Sequence, residues 1–289
     1  MGSPSASPQA PAAALVVASI LSVQLGSAAA TTIFDQAGAA GANLLRTAFA
    51  ALLVAAVWRP AMELLRGSKG REVIAFGMVL AGMNTFFFLA LDRLPLGIAV
   101  AFEFIGPLGV AVAASRSRLD LLWVTLAGAA ILLLAPDIGN GLDGLGVAYA
   151  LAAAACWAGY ILLSARIGRT GAGQHALALA LMIATLPLVP IGIVDGGSEL
   201  LDPGVLAIGL GIAALSSAIP FSLEMEALKR LPEGVFGVLL SLEPAIAAGV
   251  GLVALGQSLA AVELVAIGLI IIASAGALRA APTVEAVEA

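Results

Sequence analysis

The chain has 289 residues, 61% of them hydrophobic and 11% charged, with a formal net charge of −5 and a mean hydropathy of +1.10. A soluble domain carries about 45–50% apolar and about 25% charged residues, so lipid is the solvent for most of this chain. The 13 basic residues are scattered over short loops and form no patch for nucleic acid, and the one cysteine, Cys156, excludes an intramolecular disulfide.

The opening stretch, MGSPSASPQAPAAA, has no basic n-region, so residues 1–11 read as a short disordered tail rather than a cleaved signal. A helix needs about 20 apolar residues to cross a bilayer. Apolar runs bounded by charges, Gly and Pro give ten candidates: 12–33, 42–58, 73–91, 95–115, 119–136, 144–163, 175–194, 204–227, 232–255 and 259–279. These runs do not alternate polar with apolar, and helices leave no backbone group unpaired in lipid, which predicts an all-α integral membrane protein. Residues 280–289 form a polar, acidic tail.

Basic residues set the expected orientation. Arg59, Arg66, Lys69, Arg71, Arg116, Arg118, Arg166, Arg169, Lys229, Arg230 and Arg279 fall on one side, and only Arg93 falls in a loop on the other. The positive-inside rule then places both termini in the cytoplasm. The opposite loops carry Asp35, Asp137, Asp143, Asp195, Glu199 and Asp202.

The segment ALDRLPLG at Ala90–Gly97 returns as ALKRLPEG at Ala227–Gly234, and the same offset relates Pro107 to Pro244. This predicts two copies of one unit, 12–136 and 144–279, joined by an external linker at 137–143. Five spans is an odd number, so the second copy enters the membrane inverted, as in many secondary transporters.

An ionisable group in mid-span costs about 2.5–3.5 kcal/mol on insertion scales and is a functional candidate by default. Counting 1.5 Å per residue places Glu103 about 12 Å and Glu243 about 16 Å into their spans. Pro107 and Pro244 lack the N–H that would bond the carbonyls of Glu103 and Leu240, so each glutamate lies beside a loosened turn. A carboxylate there suits a cation or an ammonium group; the plainer alternative is a protonated glutamate bonded to a neighbouring helix. Gln24 and Asn84 lie near mid-depth and suit either a substrate or a helix–helix hydrogen bond. Arg46, read as four residues into its span, suits carboxylate binding or snorkelling to the interface. Glu224, beyond Pro220, suits a gate, an internal pair or a ligand; Glu226 is expected to pair with Arg230 four residues on. Trp157 and Tyr160 suit a pocket wall or aromatic packing, His175 an interfacial position, and Cys156 close packing. Pro107, Pro220 and Pro244 are the candidate hinges.

No catalytic set, metal-ligand cluster or phosphate-binding glycine loop is present in the sequence, so neither an enzyme nor a cofactor is expected. The runs PLGIAVAFEFIGPLGVA (95–111), CWAGYIL (156–162), IPFSLEMEALKRLP (219–232) and SLEPAIAA (241–248) resemble the drug/metabolite transporter superfamily of the EamA type. Within it they are most similar to the exporters of threonine and homoserine in the bacterial inner membrane. The resemblance implies ten transmembrane helices in two inverted five-helix repeats, and export of small amino acids in exchange for protons. Rival readings are export of another small metabolite or drug, and a passive channel or facilitator whose carboxylates set cation preference. A monomer and a homodimer both fit. On the amino-acid reading the substrate ammonium faces Glu103 or Glu243, its carboxylate takes Asn84, Gln24 or Arg46, and the repeats rock about the hinges to alternate access.

Overall fold

The computed structural model describes residues 9–66, 68–114, 143–168, 173–228, 239–240 and 242–279, with a few positions between 122 and 133. The fifth expected span, most of the second RLP hinge with Lys229 and Arg230, and both tails therefore lie largely outside the described residues. Every regular element described is helical. Among the described residues, five helices are long and apolar enough to cross a membrane, and four shorter apolar helices accompany them.

In chain order the helices are α1 (Gln9–Thr31), α2 (Phe34–Val57), α3 (Ser68–Leu91), α4 (Leu96–Glu103), α5 (Ile105–Ala114), α6 (Gly144–Gly168), α7 (Gly173–Gly196), α8 (Pro203–Ala213), α9 (Ile219–Leu228), α10 (Glu243–Leu255) and α11 (Ala261–Arg279). Large apolar side chains on their outer faces stay exposed, among them Leu52, Val57, Leu186, Val194 and Val253. That is the pattern of helices solvated by lipid.

Helix α2 starts at Phe34, well before the expected 42. The Ala- and Gly-rich stretch 36–42 reads as a loop by composition, but alanine is the best helix former and small residues let helices approach closely in lipid. The helix breaks once, at Gly38 (φ 66°, ψ 162°). Beyond the break the backbone N–H of Ala40 donates to the Asp195 carboxylate at 2.8 Å. A Cβ on Gly38 would collide with that carboxylate, so the kink and its cap require glycine. The earlier start corrects the reading of Arg46 as a near-terminal residue: it lies twelve residues into α2, about 18 Å along it.

The prolines divide three spans. Span four is two helices, α4 and α5, broken at Phe104, three residues before Pro107. Span eight passes from α8 through a π-turn at Ala214–Ala218 into α9, whose second residue is Pro220. In span nine, α10 opens at Glu243 with Pro244 in its first turn. Each break lies where a proline withholds an N–H.

Helix α4 is buried along its whole length. It packs on α3, α6, α10 and α11. At the crossing with α10 a Cβ on Gly97 would lie 2.9 Å from Ala248 Cα, so the two backbones touch. The N-terminus of α4 is capped from a distance, Leu96 N–H donating to Gln257 Oε1 at 3.0 Å. At the start of α6, Asp143 accepts from the N–H groups of Leu145 and Gly146 and pairs with Arg93 at 2.9 Å. These contacts, the Gly146 N–H first and Arg93 next, hold the Asp143 carboxyl below its ordinary value.

Candidate functional site

The broken helices place their charged side chains toward one another. Glu103, 8% exposed, closes α4 at the point where Pro107 removes the next rung of hydrogen bonds. Its carboxyl lies within electrostatic range of Glu243 and of Arg46. Glu243 in turn lies within range of Glu224, and Glu224 within range of Tyr160. Three carboxyl groups and one guanidinium from α2, α4, α9 and α10 therefore share one interior region.

Neighbouring side chains fix this set. Ser19 on α1 donates to Glu224 Oε1 at 2.7 Å. Arg46 donates through Nη1 to Asn84 Oδ1 at 2.8 Å, and its guanidinium lies 5.5 Å from the centre of the Phe88 ring, in cation–π reach. Beside this pair runs a second polar seam. Asn43 Nδ2 donates to Thr85 Oγ1 at 3.3 Å, Thr47 Oγ1 donates to Asn43 Oδ1 at 3.3 Å, and Thr85 Oγ1 donates to the Ala81 carbonyl at 2.7 Å. The aromatic residues of α6 pack against the same region: Trp157 meets Phe104 edge-on at 5.7 Å, and Tyr160 stacks on Phe76 at 5.2 Å.

Of the sequence candidates, the structure brings together Glu103, Glu243, Glu224, Arg46 and Asn84, with Trp157 and Tyr160 at the edge. Arg46 is paired with Asn84, and its Nε is fully buried. Gln24 is 2% exposed, and its Oε1 has no hydrogen-bond partner among the described residues. Pro107, Pro220 and Pro244 all lie at helix breaks. His175 lies at the start of α7, its Nδ1 2.6 Å from the Arg59 carbonyl, and Cys156 packs beside Gly82. Sequence reasoning missed Ser19, Asn43, Thr47, Thr85 and Phe88. Asn43 and Thr47 are four residues apart, and Asn43 precedes Arg46 by three, so helical spacing alone places them on one side of α2.

Residues 144–279 match the sequence profile of the EamA-like transporter family. The threonine/homoserine exporter RhtA of Escherichia coli K12 is 42% identical over 265 residues, covering 91% of this chain and 89% of the exporter. The chain belongs to the EamA-like transporter family. The threonine/homoserine exporter RhtA of Salmonella typhimurium LT2 is 40% identical over 273 residues, 92% of either chain. A solved crystal structure with 20% sequence identity superposes with a TM-score of 0.59 over 93% of this chain and 96% of its own, a likeness of fold. The resemblance read in the sequence is thus borne out, and this EamA-family chain is a multi-pass membrane transporter rather than an enzyme.

Proposed function

We propose that this chain exports threonine, homoserine and similar small amino acids across the bacterial cytoplasmic membrane in exchange for protons. The observation that carries the reading is the 42% identity, over about nine tenths of both chains, to a threonine/homoserine exporter. Glu103 and Glu243 supply the coupling. A carboxylate that holds a proton when empty and an ammonium group when loaded cannot hold both, and that exclusivity is enough for antiport. Glu224, held by Ser19, lies next along the route and hands the proton on.

The repeats 12–136 and 144–279 are the two rocking halves, with 137–143 as external linker and both termini cytoplasmic. Packing favours that symmetry. Exchanging the halves maps the contact of α3 with α6 onto that of α1 with α9, and the contact of α3 with α7 onto that of α2 with α8. It also maps α5 on α6 onto α1 on α10, while α2 on α7 maps onto itself. Helix breaks at Phe104 and just before Glu243 fall at corresponding points, and an odd number of spans per half makes the repeat inverted.

The test is counterflow and pH-driven uptake of radiolabelled threonine and homoserine into proteoliposomes of the purified protein. Accumulation against a concentration gradient, driven by a proton gradient, is the expected result. Equilibration without accumulation would replace the antiporter by a facilitator.

A further inference from the structure

Arg46 carries a charge that makes no ion pair among the described residues. Its Nη1 is committed to Asn84 and one face of its guanidinium to Phe88. Nε has no hydrogen-bond partner among the described residues, and neither has Asn84 Nδ2, although both atoms are fully buried. Arg46 also forms no ion pair with Glu103, whose charge it feels. A guanidinium kept only to neutralise Glu103 would be expected to bond it directly, because a buried pair offsets its desolvation best in close, fully hydrogen-bonded geometry. Instead Arg46 is tied to α3, beside the Asn43–Thr47–Thr85 seam that braces α2 against α3.

Among the fully buried atoms of this pair, the unmatched donors are two nitrogens on adjacent side chains, Nε of the Arg46 cation and Nδ2 of the Asn84 amide. That is the complement of a carboxylate, which accepts at two oxygens. Gln24, the third sequence candidate, is buried elsewhere on α1, with its Oε1 unpartnered among the described residues.

We infer that Arg46 and Asn84 form a carboxylate-binding subsite, and that it confines transport to molecules bearing a free carboxylate beside a cationic amine. The inference rests on the amino-acid export reading and names which end of the substrate each side of the site holds. The carboxylate is bound by Arg46 and Asn84, from α2 and α3. The ammonium is left for Glu103, at the broken end of α4. Substrates whose carboxyl is reduced or amidated leave buried donors unmatched and are rejected, since a site built to hydrogen-bond a group discriminates strongly against analogues lacking it.

The experiment is threonine counterflow in proteoliposomes, with unlabelled threonine, threoninamide and threoninol as competitors. Wild type is expected to be inhibited by threonine and not by the other two. Asn84→Asp keeps an oxygen acceptor for Arg46 and replaces the free donor by a negative oxygen. It should fold as wild type and raise the half-saturating threonine concentration at least about tenfold, on the order of one charged hydrogen bond. Arg46→Gln should do the same or more, and Arg46→Lys should recover part of the loss. Equal competition by threoninamide in wild type, or wild-type half-saturation in Asn84→Asp, overturns the subsite. If Arg46→Gln does not fold, Asn84→Asp alone decides. If wild type exchanges neither threonine nor homoserine, the export reading fails, and thermal stabilisation of the purified protein by alanine, lactate and acetate decides the subsite. Stabilisation lost in Asn84→Asp supports it, and no stabilisation by any of the three overturns it.

Discussion

The proposed coupling by Glu103 and Glu243 is open to direct test. Glu103→Gln and Glu243→Gln keep the side-chain volume and remove the titratable charge, and an amide in lipid is less costly than an ionised group. Both variants should therefore fold. The variant at the coupling position should lose pH-driven threonine transport while still exchanging threonine for threonine, because that half-reaction moves no net proton. Glu226→Gln should retain coupling. Proteoliposome transport at matched protein density reads all three, and wild-type coupling in both Glu103→Gln and Glu243→Gln would return these residues to a structural role. The same carboxylates were the part of the site legible in the sequence, because an acid in mid-span has a cost that composition reveals. Asn43, Thr47, Thr85 and Ser19 carry no such cost. A neutral polar residue in an apolar run is tolerated on many faces, and only the packed fold shows that these four meet a partner.

Helix breaks operate at the scale of the element. Pro107 leaves the Glu103 carbonyl without its helical donor, and α4 ends there. Pro107→Ala restores the N–H and joins α4 to α5, so the protein should be at least as stable while its turnover number falls severalfold at unchanged half-saturation. Stopped-flow or initial-rate transport together with thermal unfolding separates these outcomes, and a parallel fall in stability would assign the proline to packing. The second element-scale device is the α2–α7 pair. Asp195 accepts from Ala40 N–H at one end, and His175 meets the Arg59 carbonyl at the other. Gly38→Ala places a Cβ in a left-handed backbone position and against Asp195. Strain at this positive-φ, extended-ψ position alone is worth about 1–3 kcal/mol, so the unfolding midpoint in detergent should drop by several degrees, more than for Gly249→Ala, where a Cβ meets no neighbour. The prolines were readable as helix breaks because the missing N–H is a property of the residue. The Gly38 kink was not, because a glycine among alanines reads equally as loop, as helix or as the close contact it makes here.

Across the whole molecule, charge decides which way the transporter faces. Insertion machinery retains basic loops on the cytoplasmic side, and acidic residues contribute little to that choice. The eleven basic residues expected inside and Arg93 expected outside give this chain a strong bias. The structure adds that Arg93 does not stand free, since its partner Asp143 also caps α6 and ties the linker to the loop after α3. Asp143 is therefore a poor position for a probe, and Leu145, 47% exposed beside it, is a better one. On the opposite side Met62, 59% exposed, lies in the short 3-10 segment between α2 and α3. In a Cys156→Ala background, Leu145→Cys should react with a membrane-impermeant maleimide in intact cells. Met62→Cys should react only after permeabilisation. The two positions are a single test of the fold as well as of its orientation, because α3 crosses once between Met62 and the loop that pairs with the Leu145 end of α6. Labelling of both from the same side would break the inverted repeat, and the reversed pattern would keep the repeat while reversing the side assigned to every loop.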